Sequence, residues 1–309
     1  MILSKQSDIL SIGECLVEFT REERDRYIQS FAGDVYNTLF YASRLGLKGK
    51  FLSCFGGDQF TSGILKLSGE ENIDVSSCKI LEDRVNGLYT VDKDENNRPL
   101  FSFWRKNSAA TQTLKENSTE LIVENILQAK VVLTSFIPLA ILNKTEYIPP
   151  ILKGVKGKTL VYIDTNIRRS LWENPDDARQ WVRTLSTHTD ILSVSSGDHA
   201  YLFPNTDPIK HYSDLGYTKI IYRDEANPVK YLFDGIQGEV PTFEARDIID
   251  MTGAGDAFNA GCIFGVTNNF AIEDAIRLGN ASAAVAMKGK GGIAKNYSRL
   301  EVESLYGAL

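Results

Sequence analysis

The sequence predicts an α/β domain with a mainly parallel central sheet and a small β lid, and three observations lead there. Short apolar runs alternate with segments of helical spacing along most of the 309 residues. Strands separated by helices imply parallel crossovers, and so a sheet covered on both faces. One stretch, 87–107, departs from the alternation with the pattern of a β-hairpin.

Residues 8–12 read as a short apolar strand ending at Gly13. Residues 37–45 carry apolar side chains at helical spacing, and Gly46 stands where a helix C-cap is expected. A second strand spans 50–54, closed by Gly56-Gly57, and a helix spans 60–69. Further strands are expected at 131–134, 159–163, 191–194 and 219–222, with helical patterns at 117–128, 178–185 and 271–287 around them. The hairpin reads Gly87-Leu88-Tyr89-Thr90-Val91-Asp92, a polar turn over 93–99, then Leu100-Phe101-Ser102-Phe103-Trp104-Arg105. Residues 14–31 are extended and charged, and pairing them with the hairpin gives a lid from about 14–34 and 84–107. A solvated surface hairpin is the alternative on pattern alone. The rest of 1–309 reads as the single domain that carries this lid.

Composition narrows the function. Against 40 Asp plus Glu stand 34 Lys plus Arg, a formal net charge of −6. That balance argues against nucleic acid as partner, because phosphate backbones are gripped by clustered Lys and Arg. His188, His199 and His211 are too scattered for a His-rich metal centre, and Cys15, Cys54, Cys78 and Cys262 show no C-x-x-C spacing. No run of about 18 apolar residues occurs, so no membrane span is expected. With no signal-type N-terminus, the expectation is a cytoplasmic enzyme.

The stretch richest in chemistry is Asp250-Met251-Thr252-Gly253-Ala254-Gly255-Asp256-Ala257-Phe258-Asn259-Ala260-Gly261. Small residues at 253–255 let the backbone approach a ligand closely, and residues 256–266 fit a helix. The amides of Gly253, Ala254 and Gly255 then point outward at a helix N-terminus, where free N–H groups and the helix dipole favour an anion. Asp256 at the same place suits a base that takes a proton from a substrate hydroxyl beside a phosphate, the combination phosphoryl transfer needs. The alternative is a glycine-rich turn that Asp256 merely caps. Gly157-Lys158-Thr159 looks like the end of a P-loop, but Leu152 stands where its first glycine belongs and a strand follows. The glycine-rich stretch 289–292 lacks a following G-x-x-G, so a dinucleotide site is not supported.

Asp250 to Gly261 resembles the D-T-x-G-A-G-D-x-F-x-A-G signature of the ribokinase family of sugar kinases, and the likeness runs essentially end to end. Ser11-Ile12-Gly13-Glu14 is similar to the family's first strand. Ala32-Gly33-Asp34 with Asn37 resembles its G-G-D-x-x-N sugar-binding turn, and Gly56-Gly57-Asp58-Gln59-Phe60 its G-x-D-x-F. The resemblance implies a ribokinase-like three-layer fold, with ATP, Mg²⁺ and a candidate monovalent cation as cofactors. It implies that Asp256 is the base and Gly253, Ala254 and Gly255 the anion hole. Gly33, Asp34 and Asn37 are implied to bind sugar hydroxyls, with Tyr89 and Phe103 reaching the sugar from the lid. Ordinary hairpin packing stays open for Tyr89. Asn166 and Arg168 are implied to face the transferring phosphate, Arg223 and Asn280 to lie on the ATP side, and Asp250 to organise the loop or the monovalent cation. No side chain is expected to ligate the metal directly, with Asp198 a candidate contact through water. Lid hairpins in this family commonly pair across a dimer, which makes a homodimer through the lid a candidate.

Within the family, one branch fits best. Gly87-Leu88-Tyr89, Phe103-Trp104-Arg105 and Ala109-Ala110 resemble 2-keto-3-deoxygluconate kinase, as does Asp164-Thr165-Asn166-Ile167-Arg168-Arg169-Ser170-Leu171-Trp172 its D-x-N-x-R-x-x-L-W. Its substrate is a sugar acid, and an acidic protein must supply local positive charge to hold it. Arg105 and Arg168 are the natural clamps, because guanidinium pairs a carboxylate in a fixed fork. A surface or phosphate-binding role is the alternative for each. Phosphorylation of another sugar, fructose or a different sugar acid, and a non-catalytic sugar-acid-binding regulator remain open readings.

Three departures from the pattern stand out. Phe103 replaces a Tyr, and Met251 replaces a Thr in the anion-hole loop. The loop Tyr222-Arg223-Asp224-Glu225-Ala226-Asn227-Pro228 has none of the glycines of the family's K-x-G-x-x-G, and the N-x-x-E element is not intact around Ser195-Ser196-Gly197-Asp198-His199.

Overall fold

The computed structural model describes residues 5–23, 25–93, 95, 99–142, 148–225, 227–243 and 247–307. In chain order the strands are β1 (Ser7–Ile12), β2 (Leu16–Glu23), β3 (Arg26–Ala32), β4 (Gly49–Leu52), β5 (Cys54–Gly56), β6 (Lys79–Leu81) and β7 (Leu88–Lys93). They continue as β8 (Pro99–Trp104), β9 (Ala129–Ser135), β10 (Leu160–Asp164), β11 (Ile191–Ser195), β12 (Lys219–Arg223), β13 (Val229–Phe233) and β14 (Ile236–Val240). The helices are α1 (Asp34–Leu45), α2 (Thr61–Glu70), α3 (Thr113–Glu116), α4 (Thr119–Leu127), α5 (Phe136–Leu142) and α6 (Ile148–Val155). After them come α7 (Pro175–Leu185), α8 (Ser196–Leu202), α9 (Pro208–Asp214), α10 (Ala254–Thr267), α11 (Ile272–Ala286) and α12 (Arg299–Gly307).

Eight strands form one sheet in the order β14-β13-β12-β11-β10-β9-β1-β4, parallel from β4 to β12. Side chains alternate across it with the period of two that a strand imposes. Leu10, Val132, Val161, Ile163 and Leu192 join a core with Ile126 of α4, Leu152 of α6 and Val182 of α7. Their neighbours Ile9, Val131, Leu133 and Tyr162 join a second core on the other face, with Leu39 of α1, Ile263 of α10 and Val285 of α11. Each such fully buried aliphatic side chain contributes roughly 1.5–3 kcal/mol relative to exposure. The result is the helix–sheet–helix sandwich the alternation predicts.

The lid is a second sheet of four strands, ordered β3-β2-β7-β8. Each hairpin is antiparallel, and β2 joins β7 in parallel from Val17↔Leu88 to Thr20↔Val91. The expected pairing of 14–31 with the hairpin is therefore present, while most of the turn at 93–99 lies outside the described residues. The chain passes between the sheets four times, at 13–15, at Gly33, next to Gly87 and at Arg105.

Three local expectations change. The strand at 50–54 divides: β4 belongs to the large sheet, whereas β5 pairs in parallel with β6 in a sheet of two. The large sheet also ends in an antiparallel pair, β13 and β14, turned by Asp234 and Gly235 at φ of 48° and 91°. Helices α5 and α6, rich in proline at Pro138, Pro149 and Pro150, were not anticipated from periodicity.

Candidate active site

The candidate site lies at the carboxyl ends of the parallel strands, where such sheets bind ligands. A cavity of about 360 Å³ opens there between sheet and lid. Glu14, Gly33, Asp34 and Asn37 border it from one side, and Tyr89, Phe103 and Arg105 from the lid. Arg168, Gly253 and Asp256 complete the wall. Seven of the residues read as sugar-binding and the residue read as base thus come together around one space.

Gly253 starts α10 in the left-handed region, at φ 78°, and a Cβ there would lie 2.3 Å from the Gly292 carbonyl oxygen. Only glycine fits both demands. Asp250 holds the approach to this turn: Oδ1 accepts from the Thr252 amide at 2.9 Å and hydroxyl at 2.8 Å, and Oδ2 accepts from the Gly291 amide at 2.9 Å. Its carboxylate is committed to the loop, and it is absent from the cavity wall. The amides of Gly253 and Gly255 have no acceptor among the described residues. The Ala254 amide differs from expectation, because it closes the turn onto the Met251 carbonyl at 3.2 Å.

Asp256 sits in the first turn of α10, buried but on the cavity. Asn37 Nδ2 donates to its Oδ2 at 2.8 Å, and Asn37 Oδ1 accepts from the Gly33 amide at 3.0 Å. Burial and then the nearby Asp34 charge push the Asp256 carboxyl well above the usual carboxylate range, against the Asn37 hydrogen bond and the Arg168 charge. A raised carboxyl is a better proton acceptor once ionised. Gly33 is required for a steric reason: a Cβ would lie 2.1 Å from the Glu14 carbonyl oxygen.

Asp34 accepts from Ser135 Oγ and, at 3.3 Å, from Asn166 Nδ2, while its Oδ1 is buried without a partner. The Asn166 amide is thereby turned toward Asp34. Arg168 is exposed, lines the cavity and has no ion-pair partner among the described residues. Tyr89 donates to Glu18 Oε2 and stacks on Phe103 with ring centroids 5.3 Å apart, so hairpin packing and cavity lining are both true of it.

Arg105 is not the open clamp the sequence suggested. It is 6% exposed, its guanidinium lies 4.4 Å from the Phe103 ring centroid, and Nη1 pairs with Glu14 Oε1. Nε and Nη2 are buried with no acceptor, as is Glu14 Oε2. Burial pushes the Glu14 carboxyl up to about 7, although the Arg105 charge opposes this and the Asp34 charge assists it. Sequence reasoning missed Glu14 as a site residue. Its position just past the end of β1 was the available signal.

On the other side of the Gly253 turn, Arg223 from β12 donates to Asp164 Oδ1 at 2.6 Å. Its Nη1 lies 2.6 Å from where a Cβ on Gly255 would be, so its guanidinium packs against Gly255. Burial holds the Asp164 carboxyl up at about 6 despite that partner. Asn280 is more distant: its amide donates to the Pro241 carbonyl at 2.9 Å, tying α11 to the loop after β14. Asp198 is also engaged, accepting from Thr165 Oγ1 at 2.7 Å and from the Ile167 amide at 3.1 Å. It shapes the loop that carries Asn166 and Arg168.

Comparison with known proteins identifies the family and the fold. The description pfkB family carbohydrate kinase matches residues 6–298. A 2-dehydro-3-deoxygluconokinase of Haemophilus influenzae is 27% identical over 299 residues, covering 92% of this chain and 95% of the relative. One of Escherichia coli K12 is 28% identical over 301 residues, covering 92% and 96%. The crystal structure of fructokinase with bound ATP from Xylella fastidiosa superposes with a TM-score of 0.86 at 22% identity, covering 99% of each chain.

Proposed function

From the premise that this chain belongs to the pfkB family of carbohydrate kinases, we propose that it transfers the γ-phosphoryl group of ATP to 2-keto-3-deoxygluconate, giving the 6-phosphate. This sugar acid is the 2-dehydro-3-deoxygluconate of its relatives' names. The observation that carries the substrate reading is the pair of arginines on the cavity of Asp256. Arg168 is unpaired among the described residues, and Arg105 keeps two buried nitrogens without acceptors. A carboxylate-bearing sugar answers both, whereas a neutral hexose leaves them unmatched.

In this reading Asp256 takes the proton from the terminal hydroxyl as that oxygen attacks the γ-phosphorus, and ADP leaves. The free amides of Gly253 and Gly255 stabilise the developing charge, and Arg223 beside Gly255 adds a fixed positive group. Among the described residues no cluster of three or more His, Cys, Asp or Glu is arranged to hold a metal. Magnesium arriving with the nucleotide would neutralise phosphate charge, and Asp198, whose two oxygens already accept from Thr165 and Ile167, would reach it only through water. A cytoplasmic location belongs to the same reading. So does a homodimer through the lid's edge strand β8, where Leu100 and Trp104 are 54% and 59% exposed; sedimentation velocity tests it.

The test of function is a coupled assay with ATP and a panel of sugars. Turnover of the keto-deoxy acid well above that of fructose or ribose supports the reading. Strong turnover of a neutral sugar with none of the acid overturns it and favours a fructokinase-like enzyme, the activity named for the Xylella fastidiosa neighbour.

A further inference from the structure

Glu14 is a buried acid to which the reaction above gives no part. It is 1% exposed, and one carboxylate oxygen pairs with Arg105 while the other has no partner. Both residues sit where the chain passes between sheet and lid, and both border the cavity. The charged and titratable groups facing Glu14 are Arg105 from the end of β8, Asp34 from the first turn of α1 and its neighbour Cys15. Tyr89, Arg168 and Asp256 lie around the same cavity.

The Glu14–Arg105 pair is balanced on its own. One guanidinium charge is matched by one carboxylate. A sugar acid that engages Arg105 brings a second carboxylate against this buried pair, beside Asp34 and Asp256. Two carboxylates around one buried guanidinium leave a buried charge that Arg168, exposed to solvent on the same cavity, compensates only in part. A proton on Glu14 removes it, and burial already holds that carboxyl near neutrality, at about 7.

We propose that Glu14 is a positioning residue that couples sugar-acid binding to proton uptake: ionised, it holds Arg105 for itself, and protonated, it yields Arg105 to the substrate carboxylate. The proposal rests on the sugar-acid reading above and adds a residue and a pH dependence to it. Glu14 touches no reacting atom in this scheme. It acts through Arg105 on affinity, and leaves the phosphoryl-transfer step to Asp256.

The sign follows from linkage. Binding that takes up a proton weakens as pH rises past the value at which the free group ionises, by at most about tenfold per pH unit for one proton. Titration calorimetry of the whole protein with 2-keto-3-deoxygluconate, without ATP, in two buffers of different ionisation enthalpy, reads the uptake directly. The expected result is uptake of about three-quarters of a proton near about pH 7.5, approaching one by about pH 8.5, with an affinity loss of roughly three- to tenfold between the two. Glu14→Gln, which keeps the shape and cannot ionise, should abolish the uptake and flatten the affinity profile to less than about twofold. Binding with no proton uptake in the wild-type protein overturns this proposal and leaves the substrate reading standing. Uptake that persists in Glu14→Gln also overturns it and assigns the proton to Asp256. Failure to bind any sugar acid overturns the substrate reading and this proposal together.

Discussion

Asn37 holds the catalytic candidate Asp256 by a 2.8 Å hydrogen bond while its other amide atom accepts from Gly33, the residue that ends the lid and begins α1. The lid, the Gly33 turn and the base candidate are therefore linked through one side chain. The residues involved lie 219 positions apart in sequence.

Replacing Asp256 with Asn removes the base but keeps the shape. Turnover should fall about 10²–10⁴-fold, the range general-base catalysis supplies. Sugar affinity measured by calorimetry should change little. Near-normal turnover would mean the proton leaves by another route.

Asn37→Ala acts on the same carboxyl indirectly. The Asn37 bond favours the ionised form and opposes the upward push of burial. Removing it raises the Asp256 carboxyl further, so the acid limb of the kcat profile moves to higher pH. Activity at about pH 6 should fall more than activity at about pH 8. A uniform loss across pH would show that Asn37 matters only for holding sugar.

Arg105→Met separates stability from recognition. Alone, it strands Glu14 without its partner, costing about 3–5 kcal/mol if the carboxyl stays ionised and less as it protonates. The double variant Arg105→Met with Glu14→Gln should regain much of that stability in a denaturant titration. Sugar-acid affinity should remain about 10–100-fold weaker in both, because the charge-assisted bonds are gone. Recovery of affinity in the double variant would remove Arg105 from substrate recognition.

Glu14 also sets a pH dependence of folding. Its carboxyl is raised from 4.5 to about 7 in the folded protein, so it stabilises the fold fully below about 4.5 and that stability is lost as pH rises through 7. Measured against Glu14→Gln, the wild-type protein should lose on the order of 3 kcal/mol between about pH 4.5 and about pH 8. The comparison cancels the contributions of other groups. A constant difference between the two proteins would show that Glu14 titrates normally.

Much of this was legible before any coordinates. Apolar strands alternating with helical patterns carry the parallel sheet, because both faces of each strand are buried and the signal is dense. The Gly253 turn was legible because small residues, a helix start and an acid coincide. What escaped depends on contacts between distant residues. Nothing local to Arg105 says that Glu14, 91 residues earlier, has taken one of its nitrogens, and nothing near Asn166 says that its amide turns to Asp34. The β13–β14 hairpin was missed for a different reason. Its Asp234-Gly235 turn is a recognisable signal for a tight hairpin, but the strands around it are short and β14 is largely exposed. Prolines at 138, 149 and 150 hid α5 and α6 in the same way, since proline in a short apolar run reads as a break.

The lid is fastened to the body by four chain segments, and the Glu14–Arg105 pair bridges two of them. The Arg105 guanidinium is thus mounted at the lid's anchorage, and not at its far end near Glu23 and Lys93.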